Sequence, residues 1–299
     1  MRIVGSMTTL PGRLQHIEMV IRSIMSQSRQ LDAFYLHIPY KTSKGQEYNI
    51  PQDFLQEYNV KINRCDRDYG PITKLVPILD LEEDPDTCII TFDDDMYIKS
   101  NAVKLLENGA RKYPKSCIGF SGGIAGDFPF YIHFIYGHQT DMKVDWLQGT
   151  TMVMFRRWML DKDILNDTLL SKIPYLFDND DHRIGGYLGM KNIDKIVLAE
   201  NALELVRITD YSRIQALSAR HQLVYEWWSL TRNMKKLGYY NAISPFYYSM
   251  SFMVFLGIIY IVLVSLLSPS WIITVLLLIL IPLVYNILYC YYQPLIRSH

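Results

Sequence analysis

Three aspartates, Asp93, Asp94 and Asp95, stand side by side at the end of the apolar run in "CIITFDDDMYI". Adjacent carboxylates repel one another, and taking them out of water is costly unless something positive compensates. Two arrangements accommodate them: a solvated acidic turn, or a site that holds a divalent cation. Carboxylate oxygens suit hard cations such as Mg²⁺ or Mn²⁺, and a cation held this way commonly bridges substrate phosphates. If extended backbone continues through the run, the first and third side chains share a side, which makes Asp93 and Asp95 the candidate pair.

Three further segments add chemistry. "DRDYGPITKL" carries Asp66, Asp68, Gly70, Pro71 and Lys74. A glycine turn opening a helix offers free N–H groups to an anion, and Lys74 adds a point charge for phosphate; the alternative is an ordinary turn with a surface lysine. "GTTMVMFRR" has Gly149, where backbone can approach closely, and Arg156 and Arg157, which read as phosphate contacts or as a solvated helix start. "FDNDDHRIGGYL" holds Asp178, Asp180, Asp181 and His182. These supply a general base, a third metal ligand, or only a helix N-cap, since Asp is favoured there.

The elements that must position these groups follow from periodicity. "RIVGSM", "AFYLHIP", "VKINRC" and "CIITF" read as strands. Between them lie a helix with Leu14, Ile17, Val20, Ile21 and Ile24 on one face and a short helix after Pro71; a helix with Leu105 and Leu106 inward follows the fourth strand. Strands separated by helices at these lengths predict a mostly parallel sheet with right-handed crossovers. In such sheets the ligand site lies off the carboxyl ends of the strands, where the triple aspartate falls. Regularity weakens from about 117 to 200, with "DKIVLAE" as a last strand. Residues 214 to 237 then form an amphipathic helix with Leu217, Leu223, Trp227, Leu230 and Met234 on its apolar face and Arg232, Lys235 and Lys236 closing it.

Composition shifts after that. "FYYSMSFMVFLGIIYIVLVSLL" and "WIITVLLLILIPLVYNILYCYY" are uncharged apolar stretches, each long enough to cross a bilayer core of about 30 Å. Only "SPS" separates them, giving a hairpin with Tyr and Trp near its ends and a kink at Pro282. A buried hairpin in a soluble core and a re-entrant hairpin are the other readings. Basic residues flank the hairpin and none lies at its tip, so the positive-inside rule places both termini and the N-terminal domain in the cytoplasm. The expected organisation is a catalytic domain over 1–212, an amphipathic juxtamembrane helix and linker over 213–245, a transmembrane hairpin over 246–292 and a tail over 293–299.

Bulk properties narrow the function. Lys+Arg and Asp+Glu both number 30, so bulk charge gives no support for nucleic-acid binding. Cys65, Cys88, Cys117 and Cys290 form no CxxC pair, which removes a zinc-ribbon or thioredoxin-type reading; the first three are expected as buried reduced thiols. "MRIVGSMTTL" lacks a signal-peptide layout and reads as the first strand.

In order, these segments are a Thr-rich loop after the first strand, a glycine turn with a base before the fourth, an Asp-x-Asp, a "G-T-x-x-x-x-F-R-R" segment, and an acidic pair at a helix start. The set resembles the GT-A-fold, nucleotide-sugar-dependent glycosyltransferases of the family-two-like group, over roughly residues 1 to 200. "DYGPITKL" stands where that family has an Asn-x-Gly turn, with Lys74 where an Arg is common. The resemblance implies that Thr8, Thr9 and Arg13 border the nucleotide base or its phosphates and that Asp66 or Asp68 sits near the base. It places Asp93, with Asp94 beside it, at the ribose or sugar and makes Asp95 the ligand of a Mn²⁺ or Mg²⁺ cofactor, with Asp93 and His182 as further candidate ligands. Asp181 is then the catalytic base, Asp180 the runner-up, and Trp146 and Gly149 line the sugar and acceptor pocket. The Gln-x-x-Arg-Trp segment of processive members is not apparent, which favours transfer of a single sugar.

The implied activity is an inverting, metal-dependent, membrane-anchored hexosyl or deoxyhexosyl transfer. The donor is UDP- or GDP-linked, and the acceptor is a glycan, a protein or a lipid-linked group. Two rivals use the same residues: a nucleotidyltransferase on a similar sheet, and a membrane-anchored binding protein that has lost the chemistry. An aspartyl-phosphatase reading is opposed by the three strand–helix units ahead of the motif and by Tyr97, two positions after Asp95.

Overall fold

The computed structural model describes residues 1–50, 53–126, 132–136, 140–165, 173, 175–200, 202–210, 212 and 223–242. The chain divides into two compact units: the first comprises Met1–Ala125 and Tyr131–Ala242, the second Gly126–Phe130 and Ile243–His299. Apart from Gly126, the second unit lies outside the described residues, and with it both apolar stretches. Among the described residues no helix is long and apolar enough to cross a membrane.

The first unit is a mixed α/β structure around an eight-stranded sheet. Its strands are β1 (Ile3–Thr8), β2 (Ala33–Pro39), β3 (Lys61–Cys65), β4 (Cys88–Phe92), β6 (Cys117–Gly119), β9 (Met142–Val144), β11 (Val153–Arg156) and β12 (Lys195–Val197). The order is β3-β2-β1-β4-β11-β6-β12-β9. The β3-β2-β1-β4 half is parallel throughout, and β11 and β9 run against their neighbours. Two smaller sheets complete it: β10 (Trp146–Leu147) with β7 (Ser121–Ala125) and β8 (Ile132–Tyr136), and a ribbon of β5 (Met96–Ile98) with β13 (Val206–Ile208).

The central strands are apolar on both faces because both faces are covered. Ile3 and Met7 of β1 and Cys88, Ile90 and Phe92 of β4 face the layer of α1 (Glu18–Met25) and α3 (Ala102–Lys112). The alternate residues Val4 and Ile89 face Ile72, Leu75, Ile78 and α4 (Asp180–Met190). The α1 face foreseen from spacing is fully buried at Leu14, Ile17, Val20, Ile21 and Ile24, although regular helix begins only at Glu18. Leu106 of α3 is buried and Leu105 partly so. The helix expected after Pro71 forms as two 3-10 turns, Gly70–Lys74 and Pro77–Asp80. Each opens next to a proline, which lacks the N–H a continuous helix would need. Short helices at Asp53–Glu57 (α2) and Ala202–Leu205 (α5) also form. Cys65, Cys88 and Cys117 are buried free thiols, as expected; Cys290 lies outside the described residues.

The segment expected as a juxtamembrane appendage from 213 contributes α6 (Leu223–Lys236) to this first unit. Leu230 and Met234 of its expected apolar face are fully buried, in a cluster with Trp146 and Tyr240. Leu217 lies outside the described residues.

One close approach yields a stability prediction. The Trp146 ring lies where a side chain on Gly123 of β7 would project, well inside contact distance. The Gly123→Ala variant is expected to lose about 1 to 3 kcal/mol through overpacking. A denaturant midpoint unchanged from wild type would show that Trp146 has room to move.

Candidate functional site

The strand order reverses between β1 and β4: β2 and β3 extend one way from β1, and β4 lies on its other side. Ligand crevices in parallel sheets open at such a switch point, off the carboxyl ends of the strands. Thr8 ends β1 and Asp93 follows the end of β4, so the Thr-rich loop and the acidic turn meet there. A cleft of about 580 Å³ opens over them. Its lining includes Thr8, Thr9, Arg13, Asp68, Lys74, Asp93, Asp94, Asp95 and Asp180.

Each aspartate of the run has a distinct environment. Asp94 is buried; it accepts from the Thr9 hydroxyl at 2.6 Å and pairs with the Arg13 guanidinium at 2.6 Å. The same Arg13 nitrogen reaches Asp95 at 3.0 Å, and the other donates to the Ser212 carbonyl. Asp93 pairs with Lys74 at 2.6 Å. Asp95 is the least compensated. Burial, then the charges of Asp93 and Asp94, push its carboxyl up to about 7 against the pull of Arg13 and Lys74.

Lys74 is the hub. It is 5% exposed, and its ammonium also pairs with Asp180 at 2.8 Å, so it joins the turn after β4 to the first residue of α4. A side chain on Gly149 would come within 2.8 Å of that ammonium, so the glycine gives it room. The two aspartates, with Asp181 nearby, hold the lysine's pKa well above its usual value despite burial. Asp180 follows the Asn179 N-cap, whose side chain accepts from the His182 N–H at 3.3 Å. Asp181 accepts from the Gly149 N–H at 2.8 Å. Burial and the neighbouring Asp180 raise its pKa well above the carboxylate range, with Lys74 opposing. Of the pair, only Asp180 lines the cleft; both line a second, small void that they share with Lys74 and Gly149.

Several expectations are corrected by geometry. Trp146 is 1% exposed, packs against His182 and Tyr240, and does not line the cleft. His182 is also 1% exposed and bonds the Tyr240 hydroxyl, so it is turned away from the acidic turn it was expected to help ligate a metal with. Successive helix residues are about 100° apart, so Asp180 and His182 point to nearly opposite sides of α4. Gly149 borders Lys74 and Asp181 rather than the open cleft. Asp66 is exposed outside it, while Asp68 lines it and accepts from the Ser43 and Gly70 N–H groups, each at 2.8 Å. Arg157 donates to the carbonyls of Leu79, Glu82 and Leu160, which makes it a structural clasp rather than a phosphate contact. Sequence reasoning missed Thr42, Ser43, Lys44, Gln46 and Tyr48, from the loop after β2, and Phe177, all of which line the cleft. The only signal there was the polar, glycine-containing "KTSKGQE" between two regular elements.

Among the described residues no group of three or more His, Cys, Asp or Glu side chains forms a metal cage. Mg²⁺-type sites rarely need one, since one or two carboxylates plus substrate phosphates suffice. Asp95, facing the cleft with a raised proton affinity, fits that kind of ligand, with Asp93 beside it. The cleft lining also holds six carboxylates (Asp68, Asp93, Asp94, Asp95, Asp178 and Asp180) against three cations (Arg13, Lys44 and Lys74). A polyanionic ligand would meet net repulsion there unless a cation came with it.

No protein-family model and no curated protein matches the chain. Solved structures do. S. aureus TarS, solved in complex with UDP-GlcNAc as a fragment spanning 1–349, is similar at 13% identity and TM-score 0.46, over 74% of this chain and 62% of that one. A longer TarS structure is similar at 12% identity and TM-score 0.45, and this chain spans 39% of it. CMP:2-keto-3-deoxy-manno-octonic acid synthetase complexed with CTP is similar at 13% identity and TM-score 0.40, over 65% of this chain and 88% of that one. The reading of function rests on the cleft itself.

Proposed function

We propose that the chain is a glycosyltransferase of GT-A type that moves a single sugar from a UDP- or GDP-linked donor to an acceptor hydroxyl. The observation that supports this most is the joining of two acidic groups by Lys74 at a strand-switch cleft. One group follows β4 and suits a cation-bound diphosphate; the other opens α4 and suits proton transfer.

The roles follow from the environments. A divalent cation, bound at Asp95 with Asp93 beside it, would neutralise the charge that grows on the leaving nucleoside diphosphate. Lys74 fixes Asp93 and Asp180 relative to one another and adds positive potential beneath the cleft. Thr9 and Arg13 hold Asp94 and so set the acidic turn. Asp180, facing the cleft, takes the proton of the acceptor hydroxyl as its oxygen bonds to the anomeric carbon and the bond to the diphosphate breaks. Attack opposite the leaving group inverts the anomeric centre. Burial and the neighbouring Asp180 raise the proton affinity of Asp181. Asp181 is the first candidate from sequence; we take Asp180 instead because it is the member of the pair that lines the cleft. The apolar stretches outside the described residues support anchoring in a membrane, with the first unit on the cytoplasmic side, and the acceptor is a glycan, a protein or a lipid-linked group.

A binding test carries a definite sign. A proton must leave Asp95 before a cation can take its place. The pKa of Asp95 in the fold lies above its unfolded value of 3.8, so without metal this carboxyl costs stability progressively as pH rises from about 4 through about 7. The rise in Tm caused by Mn²⁺ with UDP is therefore expected to be larger at pH 8 than at pH 6. Equal shifts at the two pH values, or a larger one at pH 6, would remove Asp95 from the metal site.

A further inference from the structure

The first turn of α4 carries the acidic pair, and the C-terminal part of the unit is built tightly against this helix. A side chain on Gly186 would come within 2.6 Å of the Met234 sulfur, and one on Gly185 within 2.7 Å of the Trp146 Cβ. Gly189 lies directly against the Tyr239 carbonyl. One side-chain bond enters the first turn from the same direction: His182 Nδ1, on the residue after Asp181, lies 2.7 Å from the Tyr240 hydroxyl. That hydroxyl is also 3.4 Å from the His182 carbonyl. Both side chains are buried, and the His182 ring packs on Trp146 at 4.4 Å. Nε2 of His182 has no hydrogen-bond partner among the described residues, so Tyr240 is the ring's one polar anchor there. The backbone that carries Tyr240 is held in turn by Asp145, which accepts from the N–H groups of Ala242 and Ala125, each at 2.8 Å.

Nothing in the transfer chemistry uses this bond directly. A buried polar pair whose side chains meet in one short hydrogen bond fixes orientation, because breaking that bond leaves polar atoms unpaired out of water. We propose that Tyr240 is a positioning residue: through His182 its hydroxyl fixes the first turn of α4 so that Asp180 faces Lys74 and the cleft. The inference rests on Asp180 acting as the base. It ties that residue to a segment that leads, in sequence, into the apolar stretch starting at Phe246.

The test uses the full chain in detergent, with nucleoside diphosphate release followed from UDP-glucose, UDP-GlcNAc and GDP-mannose. Tyr240→Phe removes only the hydroxyl, and kcat is expected to fall at least about 10-fold with donor KM within about twofold, because sub-ångström misplacement of a reacting group is costly. The double variant His182→Leu with Tyr240→Phe removes both polar partners, so its Tm is expected to recover to within about 2 °C of wild type. In that variant kcat stays low, since the positioning bond is still missing. Wild-type kcat in Tyr240→Phe would overturn the proposal, and so would a kcat that returns with Tm in the double variant, since either shows a packing role alone. If Tyr240→Phe does not fold, the double variant decides. The two readings fail differently. Release by wild type but not by Asp180→Asn, with full release by Tyr240→Phe, sinks this inference alone; no release by wild type from any donor sinks the transferase reading and this inference with it.

Discussion

Replacing Lys74 with methionine is expected to destabilise the chain by about 3 to 5 kcal/mol at pH 8 and to abolish turnover. Methionine keeps most of the apolar stem and removes the charge. The ammonium is buried between Asp93 at 2.6 Å and Asp180 at 2.8 Å, and among the described residues no other cation is within pairing distance of either carboxylate. Taking away one partner of a buried ion pair leaves the other charged and desolvated, which is why the cost exceeds that of an exposed bridge. In wild type the lysine's pKa in the fold is raised above its unfolded value of 10.5. Its contribution is therefore complete below about pH 10.5 and lost only as pH rises through the higher folded value. Between pH 5 and 8 the lysine stays charged. The variant behaves differently, because its uncompensated carboxylates are relieved by protonation and its deficit against wild type should shrink as pH falls from 8 to 5. Urea titrations at pH 8, 6.5 and 5 measure this directly. A variant as stable as wild type at pH 8 would mean that the lysine is not the hub the geometry shows.

Asp180→Asn should lower kcat by about 10² to 10⁴, the usual scale of general-base catalysis, with donor affinity within about twofold. The amide keeps the shape, faces the same cleft and cannot take a proton. Asp181→Asn should be far milder, about tenfold or less, because Asp181 does not line the cleft and the amide oxygen can still accept from the Gly149 N–H. Single-turnover rates at saturating donor separate the chemical step from binding. The opposite ranking would move the base to Asp181 and make Asp180 a structural partner of Lys74.

The central sheet was legible because its strands obey simple rules. "AFYLHIP" and "CIITF" are bounded by turn residues, and the strands observed coincide with them at Ala33–Pro39 and Cys88–Phe92. The acidic turn could be placed at a strand end, and the acidic pair at a helix start, for the same reason. Side-chain direction beyond a strand end was not legible. Arg13 lies next to the Thr-rich loop in sequence, yet it pairs with Asp94 and Asp95, about eighty residues away, and with Ser212 beyond them. Trp146 and His182 look like pocket residues in a linear reading, but the 100° step of α4 and the packing of α6 turn both into a buried cluster. The β5–β13 ribbon and the small sheet of β7, β8 and β10 escaped notice as well. Two- and three-residue strands carry too little alternation to read, and Gly122 and Gly123 remove side chains where a strand pattern would show.

The most direct test of the central claim is nucleoside diphosphate release by the detergent-solubilised full chain. UDP- and GDP-sugars would be supplied with Mn²⁺, with Mg²⁺ and with chelator, beside an Asp95→Ala control. The account predicts release from one donor that requires the metal and disappears in the variant, which would establish that the three aspartates hold a cation against a diphosphate. Pyrophosphate released from a nucleoside triphosphate and a sugar would show a nucleotidyltransferase instead. Neither product, with no donor-dependent rise in Tm in folded protein, would contradict the transferase account and leave the acidic run as a structural turn.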